Sequence, residues 1–435
     1  MNCPYARGNQ NFTILRSGYL AMSRLRRKAG LRPDATSPVR FKALGKQTVL
    51  LRGAEGVDAF YDSSRVMRSG AMPPFIQRPL FGDGAVHTLD GEQHRVRKNQ
   101  LADVAYTDNN VDHFASLVEE ELAELLQQWR LGQHLNVHDG TSLAFGRAAF
   151  RWAGISMSRE ESDLRAFQMK QLLDGFGRFN AEHIKARFNR IRLDRWAKKL
   201  IEEAREGRSP AADGSALAAM ANLRDENGKL VDAHTAGVEL QNLTRPTVAV
   251  ARFAAFAATA LVEHPEWAKR IGEAAEQQGG QFSKTRESIA FAQEVRRTFP
   301  FVPALPGLIR YNTVVQGCPV DKGDRVVIDV LGTNTNPREW ENASTFDPER
   351  FYARTDLESL EDYENIEMLI PQGGKGVRTG HRCPGEKIAV TALAAAVSAL
   401  CQPGVEISAE PEDRTFDWRK VLTRPSTGVR VAVSS

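Results

Sequence analysis

The stretch Pro371–Glu386, PQGGKGVRTGHRCPGE, constrains this chain more than any other. A lone cysteine follows a glycine-rich loop and stands directly before a helical pattern beginning near Glu386. Backbone N–H groups of such a loop, with a helix N-terminus behind them, stabilise a thiolate and lower its pKa. Gly385 reads as the position that lets the chain turn closely past the sulfur. Alone, the segment leaves two readings open: a functional thiolate at Cys383, or a structural thiol buried at a helix start.

The other cysteines, Cys3, Cys318 and Cys401, form no CxxC pair, so neither a zinc ribbon nor a thioredoxin site is signalled. Their scatter suits a reducing cytoplasm. A chain of 435 residues buries roughly 75% of its unfolded surface and needs no disulfide staple. At about 150 residues per domain, length alone suggests three domains. The balance of 58 basic and 54 acidic residues is weak ground for a nucleic-acid partner, and none is expected. Two basic clusters read as solvated helix faces: Arg24, Arg26, Arg27 and Lys28, then Lys185, Arg187, Arg190, Arg192 and Arg195. The polar start Met1–Asn11 carries no signal-peptide core. The longest apolar run, Val248–Val262, is interrupted by Arg252 and falls short of the ~20 residues of a membrane span. The expectation is a cytoplasmic protein with no membrane partner.

Strand-like patterns are few: Gln47–Arg52, followed by a helical stretch Ala54–Tyr61, then Arg325–Val330 and Gly428–Val433. Helical periodicity dominates elsewhere, over Val111–Trp129, Glu160–Leu173, Ile191–Arg205, Ala233–Glu263, Lys284–Thr298 and Glu386–Leu400. Gly207–Ser215 and Gly279–Ser283 read as loops. His113, His134, His138, His183, His234 and His264 show no metal-ligand spacing.

Glu294 and Arg297 are three apart, share a helix face and can pair. That is commonplace, but Arg350, in WENASTFDPERF (Trp340–Phe351), would extend it to a buried Glu–Arg–Arg network. With Glu294/Arg297, Pro348-Glu349-Arg350-Phe351 and Cys383-Pro384-Gly385 in this order, the chain resembles the cytochrome P-450 superfamily over essentially its whole length. The resemblance implies a mainly α fold: one triangular helical domain over residues 1–435, with a small β-rich portion, enclosing haem b. Cys383 would be the axial thiolate on the haem iron, pushing electron density onto it. His381, and His94 with Lys98 four apart on a helix, would hold the haem propionates. The aromatic residue that usually opens the family's haem loop is replaced here by Ile370-Pro371-Gln372.

Oxygen-activating members carry an acid–Thr pair midway along the long helix. Here Ala233–Glu263 reads Asn242-Leu243-Thr244-Arg245-Pro246-Thr247 instead. A proline inside a helix removes a hydrogen bond and costs ~3 kcal/mol, so Pro246 implies a local purpose. Arg245 beside it would be a cation facing an apolar pocket, which calls for a carboxylate in planar, two-pronged contact. The open alternatives are that Arg245 pairs with a protein acid, or that the helix ends at Thr244. The Arg245-Pro246 pair, residues 78–91 (RPLFGDGAVHTLDG) and Phe299-Pro300-Phe301-Val302-Pro303 resemble the bacterial fatty-acid peroxygenases of the superfamily. These use hydrogen peroxide and require no reductase.

That resemblance implies oxidation of long-chain fatty acids at Cα or Cβ, giving hydroxy acids and, by oxidative decarboxylation, terminal alkenes. Arg245 would hold the substrate carboxylate, which itself serves as general acid–base towards peroxide. His87 occupies a position that is Gln in mainly hydroxylating members and His in alkene-forming ones, and His can supply a proton near neutral pH. Phe81 would pack between haem and His87. The alternative is a reductase-dependent P-450 monooxygenase acting on a non-acid substrate.

Overall fold

The computed structural model describes all residues except Met1, Asn2, His134, Pro210, Gln281, Ser283, Lys284 and Ser435. The expected helix start at Lys284, His134, one position of the predicted loop Gly207–Ser215 and two of Gly279–Ser283 therefore lie outside the described residues. The helices Ala233–Glu263 and Glu386–Leu400 run over the bounds their patterns predict. Helix Ala181–Arg205 starts ten residues before the predicted Ile191, with the Asn180 side chain accepting the Glu182 N–H at 3.1 Å. Its early turns carry exposed Ile184 and Phe188, so apolar spacing there does not report burial.

Helix Ala233–Glu263 is the axis of the core. Asp232 caps it, its carboxylate accepting the Thr235 N–H at 3.0 Å. Beyond Pro246 it is rich in alanine and buried on all sides, which lets neighbouring helices approach closely. Val137–Trp152, Ala181–Arg205 and Glu386–Leu400 pack against it. It is long and apolar enough to cross a membrane, but it is mostly buried inside the protein. Val137–Trp152 carries no sequence signature of its own because it too is buried nearly all round, and a helix buried on every face shows no period.

Among the ten strands of the described residues, eight precede the thiolate loop: β1 (Tyr5–Asn9), β2 (Val39–Ala43), β3 (Lys46–Leu51), β4 (Val66–Met67), β5 (Ala304–Ile309), β6 (Thr313–Val315), β7 (Cys318–Val320) and β8 (Arg325–Asp329). Six form one sheet, ordered β1-β2-β3-β8-β5-β4, while β6 and β7 make a separate hairpin. In the sheet β3 pairs parallel with β8, Leu50 opposite Val327, and β8 pairs antiparallel with β5, Ile328 opposite Leu305. Val431–Val433 pairs with Val405–Ile407, where the sequence suggested a strand.

Two expectations need correction. Cys3 and Cys318 are joined as a disulfide, 315 residues apart, so the chain does not hold four free thiols. The fold brings Cys3, just ahead of β1, to within 5.3 Å (Cα–Cα) of β7, a proximity no local spacing could signal. Nor are the basic clusters uniformly solvated. Arg26 is 3% and Arg190 5% exposed, each with backbone carbonyls as acceptors.

Candidate functional site

A cavity of about 300 Å³ lies between the Ala233–Glu263 helix, the helix Pro74–Phe81, β5 and the Pro371–Pro384 loop. Its lining gathers residues from Phe60 to Pro384, including every candidate singled out in the sequence: Phe81, His87, His94, Lys98, Arg245, Pro246, His381 and Cys383.

Cys383 sits at the end of the glycine-rich loop, its backbone N–H donating to the Gln372 carbonyl at 3.0 Å. Burial pushes its thiol pKa up, and the Gly385 N–H, Lys98 and Arg296 oppose that. A Cβ on Gly373 would strike the His381 carbonyl at 2.3 Å, and φ there is +98°, so this turn requires glycine. Gly385 differs from expectation. Its φ is −89° and a Cβ would meet open space, so the turn past the sulfur does not depend on it.

Two buried ion networks stand nearby in the chain, and the second of them holds the loop. Arg297 donates to Glu294 through Nε (2.7 Å) and Nη2 (2.6 Å), and to the carbonyls of Asn334, Ala343 and Thr345; Arg350 reaches Glu294 at 3.4 Å. This is the predicted Glu–Arg–Arg network, with Glu294 and Arg297 wholly buried. A second network was missed. Glu386, the first residue of the helix after Cys383, accepts from Arg382 at 2.5 Å and from Arg296, while Arg296 also donates to Gln372 at 2.7 Å.

On one wall the basic groups converge. His94 stacks on His381 (ring centroids 4.6 Å), which stacks on Tyr61 (6.0 Å). The Lys98 ammonium donates to the Gly380 carbonyl. Burial, then neighbouring cations, pushes His381 down to about 2; burial, then Lys98, takes His94 to about 4. Burial brings Lys98 down to about 8, with Cys383 and Glu364 opposing. Arg68 joins this wall, unforeseen. Its Nη1, like the Tyr61 hydroxyl, is buried without a hydrogen-bond partner among the described residues.

Opposite the basic wall in sequence terms, Arg245 is 4% exposed and lines the cavity. It donates to the Leu80 carbonyl, and its guanidinium carbon lies 5.5 Å from the Phe81 ring centroid. No acid pairs with it among the described residues, and the helix continues through Pro246, so neither alternative reading of Arg245 holds. Burial, then Arg190, pushes its pKa down to about 9. Arg190 also donates to the Leu80 carbonyl, at 3.4 Å, and is itself paired with Asp194. The Thr244 hydroxyl donates to the Leu240 carbonyl at 3.1 Å and does not line the cavity. The His87 ring packs 4.4 Å from Phe81. His87 is exposed, opening into the cavity, yet burial among protein atoms and then Arg245 hold its pKa down to about 3. Both influences favour the neutral imidazole.

Glu239 is the residue sequence reasoning passed over. It is wholly buried on the long helix, accepting the Val86 N–H at 2.7 Å and Arg97 at 3.0 Å through one oxygen, and Asn242 at 3.0 Å through the other. It thereby fixes the backbone immediately before His87. Glu239→Ala leaves buried Arg97 unpaired, and a loss of about 3 kcal/mol in unfolding free energy is expected from the urea midpoint. Glu239→Gln keeps an acceptor for Val86 and loses less.

The cytochrome P450 family model matches residues 155–424. The chain belongs to the cytochrome P450 family. Among solved structures, this P450 is similar to ligand-free cytochrome P450 OleT, with 29% identity over 98% of this chain and 97% of that one and a TM-score of 0.86. An OleT variant in complex with arachidonic acid gives 29% identity, 99% and 98% coverage and a TM-score of 0.87. Cytochrome P450SP alpha (CYP152B1) with (R)-ibuprophen gives 32%, 98% and 100%, and 0.85. A sterol 14alpha-demethylase of Mycolicibacterium vanbaalenii is 24% identical over 89% of this chain and 88% of its own length.

The family's cofactor is haem, and the residues present fit it. A cysteine sulfur borders the cavity, and an acid-poor wall of His94, Lys98, His381 and Arg68 faces the same space. The orphaned Arg68 Nη1 and Tyr61 hydroxyl are buried donors of the kind a pair of carboxylates satisfies. Anionic propionates there would also oppose the lowering of both histidine pKa values, which burial and then the neighbouring cations cause.

Proposed function

We propose that this P450 is a hydrogen-peroxide-dependent peroxygenase of long-chain fatty acids. It would oxidise them at Cα and Cβ to hydroxy acids and, by oxidative decarboxylation, to terminal alkenes. The observation that carries this reading is Arg245, a cavity cation with no protein acid paired to it among the described residues. A buried guanidinium of this kind is stabilised by an anion from outside, and its planar fork matches a carboxylate. The complex of the OleT variant with arachidonic acid supports a fatty acid as that anion.

Cys383 would hold haem b as its thiolate ligand and His94, Lys98 and His381 would hold its propionates, and the group would supply the activation of peroxide and the oxidising power. The protein's own residues supply the rest. Arg245 fixes the carboxylate end of the chain, so Cα and Cβ are the carbons held deepest. Leu173, Ala249, Val250, Phe253, Phe301 and Val302 offer apolar walls to the alkyl chain and exclude water. The carboxylate held at Arg245 can take and return a peroxide proton, the role an acid–Thr pair would fill; Thr244, turned into its own helix, is not placed for it. Pro246 keeps the helix face beside Arg245 open by leaving the carbonyl four residues back without its helical donor. A carboxylate arriving between Arg245 and His87 would raise the His87 pKa from its low resting value, so the imidazole would become a proton donor only with substrate bound. Phe81 holds the His87 ring in place.

The proposal takes the chain as one haem domain, needing hydrogen peroxide and no reductase, with no nucleic-acid partner. It places the protein in the cytoplasm, and the Cys3–Cys318 disulfide is the observation that runs against that placement. The test is gas chromatography with mass spectrometry of products from purified protein, a saturated fatty acid and peroxide, with His87→Gln in parallel. The wild-type chain is expected to give hydroxy acids and 1-alkene. The variant should keep hydroxylation and lose alkene by at least about a hundredfold, the lower end of what a positioned acid–base group contributes. An unchanged product ratio removes His87 from the chemistry. No product with peroxide, but turnover of a non-acid with a reductase and reduced nicotinamide in the presence of catalase, overturns the whole reading.

A further inference from the structure

Helix Ala181–Arg205 presents Ile184, Phe188 and Ile191 at 57%, 61% and 47% exposure. Their i, i+4, i+7 spacing places them on one face. Phe179, 63% exposed just before the helix, brings its ring within 5.7 Å (centroid to centroid) of Phe75, itself 49% exposed at the start of Pro74–Phe81. Single exposed apolar residues are ordinary, but a contiguous aromatic and aliphatic strip marks an interaction surface. The inner sides of the same two helices belong to the site. Leu80 and Phe81 line the cavity, and Arg190 donates to the Leu80 carbonyl.

Charge selects the occupant. Lys185, Arg187, Arg192 and Arg195 are exposed around the strip and make no ion pair or hydrogen bond among the described residues. The acids of this helix are already engaged: Glu182 with Arg178, Asp194 with Arg190, Glu202 with Lys198 and Glu203 with Lys199. A second copy of the chain would set cations against like cations. A surface that offers anions above an apolar layer matches both parts of the strip.

We propose that this face docks the enzyme onto anionic phospholipid bilayers. The aromatic and aliphatic side chains sink to the headgroup–acyl boundary, and the four cations meet lipid phosphates. No membrane was expected from the composition, and the docking is peripheral, not spanning. It presses the outer sides of cavity-lining helices against the phase in which long-chain acids dissolve; that use rests on the fatty-acid reading, whereas the docking does not.

The test is flotation of the full-length, haem-loaded protein with vesicles of phosphatidylcholine alone or mixed with phosphatidylglycerol. Binding is expected only with phosphatidylglycerol and should vanish near 1 M salt, where screening shortens to about 3 Å. Combined Arg187→Glu, Arg192→Glu and Arg195→Glu should weaken it about a hundredfold. Phe188→Asp should weaken it about tenfold by losing apolar burial. Both variants are expected to keep the Soret spectrum and turnover of a freely soluble short acid. Equal or absent flotation with the two vesicle types overturns the proposal. So does a wild-type dimer that Phe188→Asp makes monomeric without changing flotation, which would assign the face to self-association. Full vesicle binding with no peroxide-driven product would sink the fatty-acid reading and leave the docking standing.

Discussion

Arg245→Ala is expected to reduce peroxide-driven oxidation of fatty acids by at least about a hundredfold, with haem content and the thiolate Soret signature unchanged. The magnitude follows from truncating one partner of a buried charge pair, about 3 kcal/mol in transition-state stabilisation. The direction follows from position: Arg245 lines the cavity and has no acid partner among the described residues, so the anchor it offers the substrate has no substitute. Arg190 is close by in the hydrogen-bond network but is already paired with Asp194, and its cavity-side neighbour is the Leu80 carbonyl. Both KM and kcat should suffer, because the carboxylate would lose its anchor and its placement for proton transfer together. Arg245→Lys should recover little, since an ammonium cannot hold a carboxylate in two-pronged contact. Steady-state kinetics with a saturated acid and peroxide decide it, and full activity in Arg245→Ala would remove the carboxylate anchor from the mechanism.

Arg297→Ala is expected to have the largest effect on folding. The side chain is wholly buried and makes five hydrogen bonds: two to Glu294 and three to the carbonyls of Asn334, Ala343 and Thr345. Removing it leaves a buried carboxylate with the Asp347 N–H at 2.9 Å and, as its one cation among the described residues, Arg350 at 3.4 Å. A broken buried pair costs about 3–5 kcal/mol, a large part of the 5–15 kcal/mol that ordinarily separates folded from unfolded chains. The expected result is protein in the insoluble fraction, and a soluble remainder with a low Soret-to-protein absorbance ratio. Arg297→Lys should not rescue it, because a point charge cannot serve a carboxylate and three separate carbonyls. Soluble, haem-replete Arg297→Ala protein with an unchanged urea midpoint would show that the network is dispensable.

The chemistry of this chain was legible where residues act in short order along the sequence. Cys383 before its helix, Arg245 beside Pro246, and Glu294 three before Arg297 all lie within one or two turns of their partners; in the structure Cys383, Arg245 and Pro246 line one cavity and Glu294 pairs with Arg297. What stayed hidden depends on distant pieces of chain. Glu239 reaches back 153 residues to Val86, Arg296 reaches forward 90 to Glu386, and Cys3 meets Cys318 across 315. Nothing in local spacing separates such an acid or thiol from an ordinary one. Arg190 shows the same limit in reverse: among Lys185, Arg187, Arg192 and Arg195 it looks like one more surface cation, and only the packing of Ala181–Arg205 against the long helix turns it inward. The fold was legible where amphipathic periods are clean. It was obscured in Val137–Trp152, whose burial leaves no polar face to mark the period.

Glu239 and Arg245 stand on the same helix, six residues or about 9 Å apart along its axis. One grips the peptide group just before His87; the other grips the Leu80 carbonyl and, in the proposed function, takes the substrate's carboxylate. The long helix therefore works as a ruler. It sets the span between the group that receives a carboxylate and the group that answers it, and the Gly82–Asp90 connection between Phe81 and the next helix only has to follow. A one-residue insertion between Glu239 and Arg245 would turn one grip by about 100° relative to the other around the helix axis. Registry along a rigid rod, more than the shape of a loop, is what holds this pocket's two working ends at a fixed separation.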